Sequence, residues 1–401
     1  QILQNITRLK NNTEVLTFQI ALALQCHTNE YLYEKTDLEN ECLMNLEGFV
    51  EKKLTDGEQP SPEELVCLAS YKALHKYPWI QLVDFPIHMK ELQQRQITEP
   101  KKEKNLRSKI RRFKNITDEV SSKVKEQYEE NPYPRWINLG MPRSPMSISE
   151  IATKTNLSLA NPDIARIANP KILVAGCGTG LHSISSALRF KSCDVLAIDL
   201  SLVSLAYARR KTEELGVSNI EYMQADILDL GELNREFDII ESSGVLHHMD
   251  DPMAGWTVLA SCLKQGGLMR IGLYSELARQ HIVKMRDEIT KVNIGSSDKE
   301  IRSFRREIIN SNQEHHKGII PSSDFYSLSA CRDLIFHEQE HRFTIPQIRD
   351  CLAQLGLIFC GFESRKIVQN FKSKNQAEYS LYDLQKWSSF EEDNPSIFGE
   401  M

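Results

Sequence analysis

No uncharged apolar run in this 401-residue chain approaches the roughly 20 residues that a helix needs to cross a bilayer. The longest candidate, Val15 to Cys26, is broken by Thr17, Gln19 and Gln25. It also lacks basic flanks and a clear cleavage site, so neither a membrane partner nor a signal peptide is expected. The nine cysteines include no Cys-x-x-Cys pair and their number is odd, so reduced thiols in a cytoplasmic setting fit best. An excess of basic charge is lacking too: a net charge of −6 gives no global reason to expect a nucleic-acid partner. What remains is an ordinary globular composition, 41% hydrophobic and 26% charged, long enough for two or three domains. An opening on Gln1 rather than Met leads one to expect a fragment or a trimmed chain.

The densest information lies in Ile172-Leu173-Val174-Ala175-Gly176-Cys177-Gly178-Thr179-Gly180, a buried strand running into a glycine-rich turn and then a helix, Leu181 to Arg189. Glycines admit positive φ and let a ligand approach the main chain, while the helix start offers free amides. Asp194 to Asp199 reads as a second strand ending in a carboxylate 21 residues after Gly178, placed to accept hydrogen bonds from ribose hydroxyls. The dinucleotide fingerprint Gly-x-Gly-x-x-Gly fails, because Leu181 stands where its third glycine belongs. The spacing Gly-x-Gly-x-Gly suits S-adenosylmethionine, which has no pyrophosphate and whose amino and carboxylate ends can lie against the turn. A third strand, Ile220 to Gln224, leads to Asp226, which could accept from an adenine amino group. A fourth, Phe237 to Glu241, runs into Ser242-Ser243-Gly244-Val245-Leu246-His247-His248.

From Lys171 to Tyr274 these motifs resemble, in order, the class I S-adenosylmethionine-dependent methyltransferases, in particular the small-molecule branch with Gly-Val-Leu-His-His after the fourth strand. The resemblance implies an α/β, Rossmann-like sheet. It implies that Gly176, Gly178 and Gly180, with Thr179 between them, contact the methionine moiety. Asp199, followed by Leu200, would take the ribose, Asp226 with Ile227 the adenine, and Ser243 and Leu246 would line the pocket near the sulfonium. The Asn-Pro-Pro-aromatic motif of nucleobase and glutamine methyltransferases is missing, which lowers the case for those acceptors.

The fold expected is this sheet with an α-helical N-terminal domain, residues 1–95, and a helical insertion after the fifth strand. Ser61-Pro62-Glu63-Glu64 has the form of a helix cap. Residues 96–140 read as a basic linker and lid. Lys101 to Lys114 carries eight basic residues and one acid, and a solvated face is the commoner meaning of such a run. Tyr128 to Trp136 then packs two prolines, two tyrosines, an arginine and a tryptophan into nine residues. It is either a rigid connector at the sheet edge or a lid, with Arg135 pairing to the methionine carboxylate and Tyr133 closing over the site. The stretch is similar to one in bacterial class I methyltransferases that often carry tetratricopeptide repeats, as are Tyr31 to Tyr33 and Trp387 to Pro395; no such repeat occurs here.

The methyltransferase domain is expected over 141–401, with 275–343 as a helical cap over the carboxyl ends of the strands. Thr344-Ile345-Pro346-Gln347 signals a helix start and Leu357 to Glu363 a sixth strand. His337-Glu338-Gln339-Glu340-His341 matches the zinc-protease pattern, which works only on a helix. The helix restart at Thr344 argues against it, and no metal ligand set is expected; Glu314-His315-His316 reads as a polar helix end. Candidate catalytic residues are His247, His248, His337 and His341, with Asp333 also reaching in from the insertion. For the pair at 247–248, pocket shaping outweighs base catalysis. The activity expected is in-line methyl transfer to an oxygen or nitrogen acceptor, a small molecule more than a macromolecule. The alternatives are aminocarboxypropyl transfer from the same sulfonium, a peptide acceptor, and a noncatalytic cofactor-binding docking module.

Overall fold

The computed structural model describes residues 13–138, 140, 144–375 and 378–399. The chain divides into two compact units, Gln1–Leu106 with Met285–Phe336 and Arg107–Lys284 with His337–Met401.

The first unit is helical. Its helices Asp37–Thr55 and Pro62–Ala69 start on reciprocal capping boxes, Thr36 with Glu39 and Ser61 with Glu64, in which each hydroxyl accepts an amide and each acid accepts the cap amide in return. Leu65, Leu68, Leu74, Met89 and Leu92 are fully buried between these elements. Each such side chain contributes about 1.5–3 kcal/mol by leaving water. Gln96 is buried among them with its amide used on both sides, accepting from Leu74 N at 3.0 Å and donating to the Ala69 carbonyl at 3.1 Å.

The expected cap, 275–343, does not stay with the sheet as one piece, because Met285–Phe336 belongs to this helical unit. The reason lies in its faces. Helix Asp298–Asn310 buries Ile301, Phe304 and Ile308 on one stripe, and its Arg302 Nε donates to the Tyr31 carbonyl at 2.9 Å. Ser329 N donates to Glu30 at 2.6 Å. The helical periodicity of the insertion was legible in sequence, but not the surface that it covers.

The second unit is built on six parallel strands: β1 (Arg111–Arg112), β2 (Lys171–Ala175), β3 (Asp194–Asp199), β4 (Ile220–Gln224), β5 (Phe237–Ser243) and β6 (Leu263–Gly272). Their order is β1-β4-β3-β2-β5-β6, a Rossmann-like α/β sheet. β2 to β6 answer to the five strands read in sequence. The sixth does not: Leu357–Glu363 forms no ladder, since Gly361 turns to φ +123° and the Leu357 and Cys360 main chains bond to Leu352 and Ser158 instead. The additional strand is β1, which lies inside the basic run, pairs with Met223 and Gln224 of β4 and so begins the sheet unit at 107 rather than beyond 140. The basic side chains there sit in surface ion pairs, Arg111 with Glu221 and Lys114 with Glu232.

Because strands run outward from β2 in one direction and from β5 in the other, the order reverses between them. A crevice opens at the carboxyl ends of such a pair. Among the described residues no helix is long and apolar enough to cross a membrane.

Candidate active site

The turn after β2 lies at this switch point. Gly176 and Gly180 have φ of +73° and +87°, and a Cβ would lie 2.2 Å from Val245 at the first and 2.6 Å from Ala208 at the second. Shape and backbone therefore both demand glycine there. Helix Leu181–Arg189 starts directly on Gly180 with no side-chain cap, so its first amides are left for water or a ligand.

Asp199, at the end of β3, is held by main chain on both oxygens: Gly178 N donates to Oδ2 at 2.7 Å and Ser201 N to Oδ1 at 2.9 Å. Burial pushes its carboxyl up to about 6, with the nearby Glu129 adding to the rise and the amides of Ser201, Gly178 and Leu200 pulling it back. Leu200, next in sequence, uses its carbonyl to accept from Gln224 Nε2 at 2.8 Å. Asp226 follows β4, is buried, and accepts from Leu228 N at 3.0 Å; burial raises its carboxyl, and a bond from Ser121 opposes that. Ile227 is buried beside it.

The segment expected to act as a lid lies on the glycine turn. Thr179 is fully buried, donates its hydroxyl to the Pro134 carbonyl, and its main-chain carbonyl accepts from Trp136 Nε1 at 3.1 Å. Its side chain is thus a clasp for the lid rather than a surface open to a cofactor. The Tyr133 carbonyl is 3.0 Å from where a Cβ on Gly178 would stand. Trp136 is buried edge-on against Tyr207, whose hydroxyl bonds the Trp136 carbonyl, while the Arg135 side chain is exposed.

Two contributors were missed in sequence. Helix Glu119–Glu130, capped by Asp118, brings Ser121 to Asp226, and its Glu129 accepts from Leu202 N at 2.6 Å. The Asp-Glu start at 118–119 was the available signal. Glu241 lies in the buried part of β5, where burial alone would raise its carboxyl, yet His182, Arg270 and the Ser186 hydroxyl hold it at about 2. An acid directly after the apolar pair Ile239-Ile240 was the signal there.

At the other end of the crevice, Ser243 is half-buried and Leu246 is buried in the core. The four candidate histidines meet there. His248 stacks on His337 at 3.6 Å between ring centroids, and His247 stacks on Tyr274 at 4.0 Å while standing edge-on to His248 at 4.2 Å. His341 N donates to the His247 carbonyl at 2.7 Å, and its ring accepts from Gln339 at 2.9 Å. His248 Nδ1 donates to the Gln339 carbonyl at 2.7 Å, which assigns the proton to that nitrogen. A buried Arg279–Glu340 ion pair at 2.5 Å braces the group, with the guanidinium 3.7 Å from the Tyr274 ring centre. Asp333 belongs to the helical unit. The zinc-protease arrangement is absent: helix Leu328–Phe336 ends before His337, so no helical turn aligns His337 with His341. A cavity of about 1510 Å³ runs along β6 and reaches Ser243 and Tyr274, but Gly176, Asp199 and Asp226 do not line it.

Residues 172–267 match the family model described as a methyltransferase domain. An uncharacterized Synechococcus protein is 31% identical over 237 residues, 56% of this chain and 57% of its own length. The ubiquinone biosynthesis O-methyltransferase of Acinetobacter baylyi is 34% identical over 102 residues, 25% of this chain and 42% of its own. The chain thus spans less than two thirds of these relatives. Among solved structures, PKMT2 from Rickettsia typhi in complex with AdoHcy aligns with 63% of this chain and 52% of its own at 16% identity and a TM-score of 0.43.

Proposed function

We propose that the protein is an enzyme that transfers the methyl group of S-adenosylmethionine to an oxygen or nitrogen atom of a small-molecule acceptor. The observation that carries this reading is the bond from Gly178 N to Asp199 at the switch point, which ties the glycine-rich turn to an oriented carboxylate. The fit to the cofactor is specific. Glycine is required at Gly176 and Gly180, the helix after them is uncapped, and Asp226 offers a second buried acceptor. Gly176, Gly178 and Gly180 would hold the methionine end, Asp199 the ribose, Asp226 with Ile227 the adenine, and the lid residues Tyr133 and Arg135 the outer side. The bound sulfonium supplies an electrophilic methyl group.

The chain's own part is to orient the acceptor, exclude water and accept a proton. His248 is the candidate for the last task, because the Gln339 carbonyl accepts its Nδ1–H and fixes the orientation of the ring. The acceptor would enter by the cavity along β6, whose 1510 Å³ exceeds the usual span of about 300–1,000 Å³ for small-ligand pockets. Cytoplasmic location and kinship with the bacterial group that shares Asn131–Trp136 are parts of the same proposal.

Calorimetric titration of the purified chain tests it. S-adenosylmethionine and S-adenosylhomocysteine should bind with micromolar affinity and NAD should not. Incubation with acceptor pools should then give a mass gain of one methyl group, whereas a gain of the aminocarboxypropyl group would replace the reaction proposed. Absence of cofactor binding would overturn it and favour a docking module.

A further inference from the structure

The helical unit carries a second cluster with metal chemistry. Glu288, on helix Gln280–Val292, faces His315 and His316 on helix Glu314–Ile319. His315 Nε2 lies 3.1 Å and His316 Nε2 2.8 Å from the same carboxylate oxygen, Oε2 of Glu288. Adjacent helical positions point about 100° apart, so two consecutive imidazoles do not ordinarily share a target. Here they converge, with ring centroids 4.4 Å apart and planes at 66°.

A tetrahedral zinc-type ion with bonds of about 2.0–2.1 Å sets its ligand atoms about 3.3 Å apart. The separations of 3.1 and 2.8 Å fall short of this by only a few tenths of an ångström, within the reach of side-chain rotation. The donor set of two imidazoles and one carboxylate is that of zinc-class ions rather than calcium or magnesium. His316 is buried, with its ring edge-on to Phe304 at 6.3 Å, whereas Glu288 and His315 are half-buried and leave an approach from solvent.

We propose that Glu288, His315 and His316 form a binding site for a zinc-class divalent cation whose remaining position is open to water. The site tethers two helices of the helical unit and does not depend on the methyl-transfer reading. Its affinity is bounded by His316 Nδ1, which is buried without a partner among the described residues. With Nε2 on the ion, Nδ1 must carry a proton that nothing accepts, so micromolar rather than nanomolar binding is expected.

The test is titration of the metal-stripped full chain with Co2+ and Zn2+, read by calorimetry and by the visible absorption of low-coordinate Co2+. One equivalent should bind with low-coordinate Co2+ bands, and Zn2+ should raise the melting temperature. Glu288→Gln and His315→Ala change half-buried positions, so they carry the test, with circular dichroism confirming the fold. Each should lose that equivalent or weaken it at least about tenfold. Absence of binding, or an unchanged titration in either variant, would overturn the proposal.

Discussion

The two ends of the switch crevice treat their polar groups differently. At the glycine turn, main chain holds side chain: Asp199 takes amides from Gly178 and Ser201, and Asp226 takes one from Leu228. At the histidine end, side chains largely hold one another by stacking, and His247 has both ring nitrogens buried with no partner among the described residues. Amides anchored in strands and turns cannot reorient without disturbing the sheet, so the first end is preorganised, as the proposed cofactor would require. Stacked rings can slide and rotate at lower cost. On the function proposed, the second end is the one that would receive the acceptor.

The largest expected effect separates the two ends by function. His248→Ala should lower kcat about 100- to 10,000-fold, the usual range for loss of a proton acceptor. The calorimetric affinity for S-adenosylmethionine should stay within about twofold. A loss of cofactor affinity matching the loss of rate would mean that the histidine belongs to the cofactor end. The complementary change is Asp199→Ala, which removes two charge-assisted hydrogen bonds of about 1.5–3 kcal/mol each. Cofactor affinity should fall at least about 100-fold with the fold intact by circular dichroism. Unchanged affinity would sink the ribose assignment.

A smaller effect is readable without mutation. With its carboxyl raised to about 6, Asp199 becomes protonated just below neutrality and stops being a full acceptor. Cofactor affinity measured between pH 8 and 5 should be flat above this value and fall about tenfold per unit below it. The same shift acts oppositely on the fold. A carboxyl raised above its ordinary 3.8 favours the folded state at low pH, and this contribution is lost as the pH rises from that value through about 6. In Asp199→Asn both dependences should vanish from their respective titrations.

The unequal ends also explain what could be read from the chain beforehand. The glycine turn, β2 and β3 were legible because a buried parallel strand is a continuous apolar run, and local spacing alone carries Gly178 to Asp199. β1 was not, since Arg111 and Arg112 are two exposed residues with no period to read. The histidine cluster was legible only as candidates. His248 and His337 stack although nearly ninety positions separate them, and no local pattern encodes such a contact. The His-Glu-x-x-His pattern drew attention to residues that do lie against His247 and His248, but through an arrangement that the ending of helix Leu328–Phe336 rules out. The insertion showed its apolar stripe, but a stripe does not name its partner, and Ile301, Phe304 and Ile308 are buried in the helical unit.

The smallest effect probes whether the histidine end is strained in its resting state. Burial first, and then the charges of His248, Arg279, His337 and His341, hold His247 well below its ordinary 6.5, so its ring is neutral at physiological pH. A neutral imidazole still carries one N–H, and an unsatisfied buried donor costs about 1–3 kcal/mol. His247→Phe keeps a flat ring for the stack on Tyr274 and removes both nitrogens. Part of the gain returns as crowding, because phenylalanine is the larger ring. The variant should therefore be more stable by about 1 kcal/mol in chemical denaturation at pH 7. A depressed histidine also makes stability pH-dependent: its contribution is full above 6.5 and is lost as the pH falls below that value. The variant should lack that acid-side loss. A less stable variant with unchanged pH dependence would mean that the His247 nitrogens are satisfied, and the contrast between the two ends of the crevice would fail.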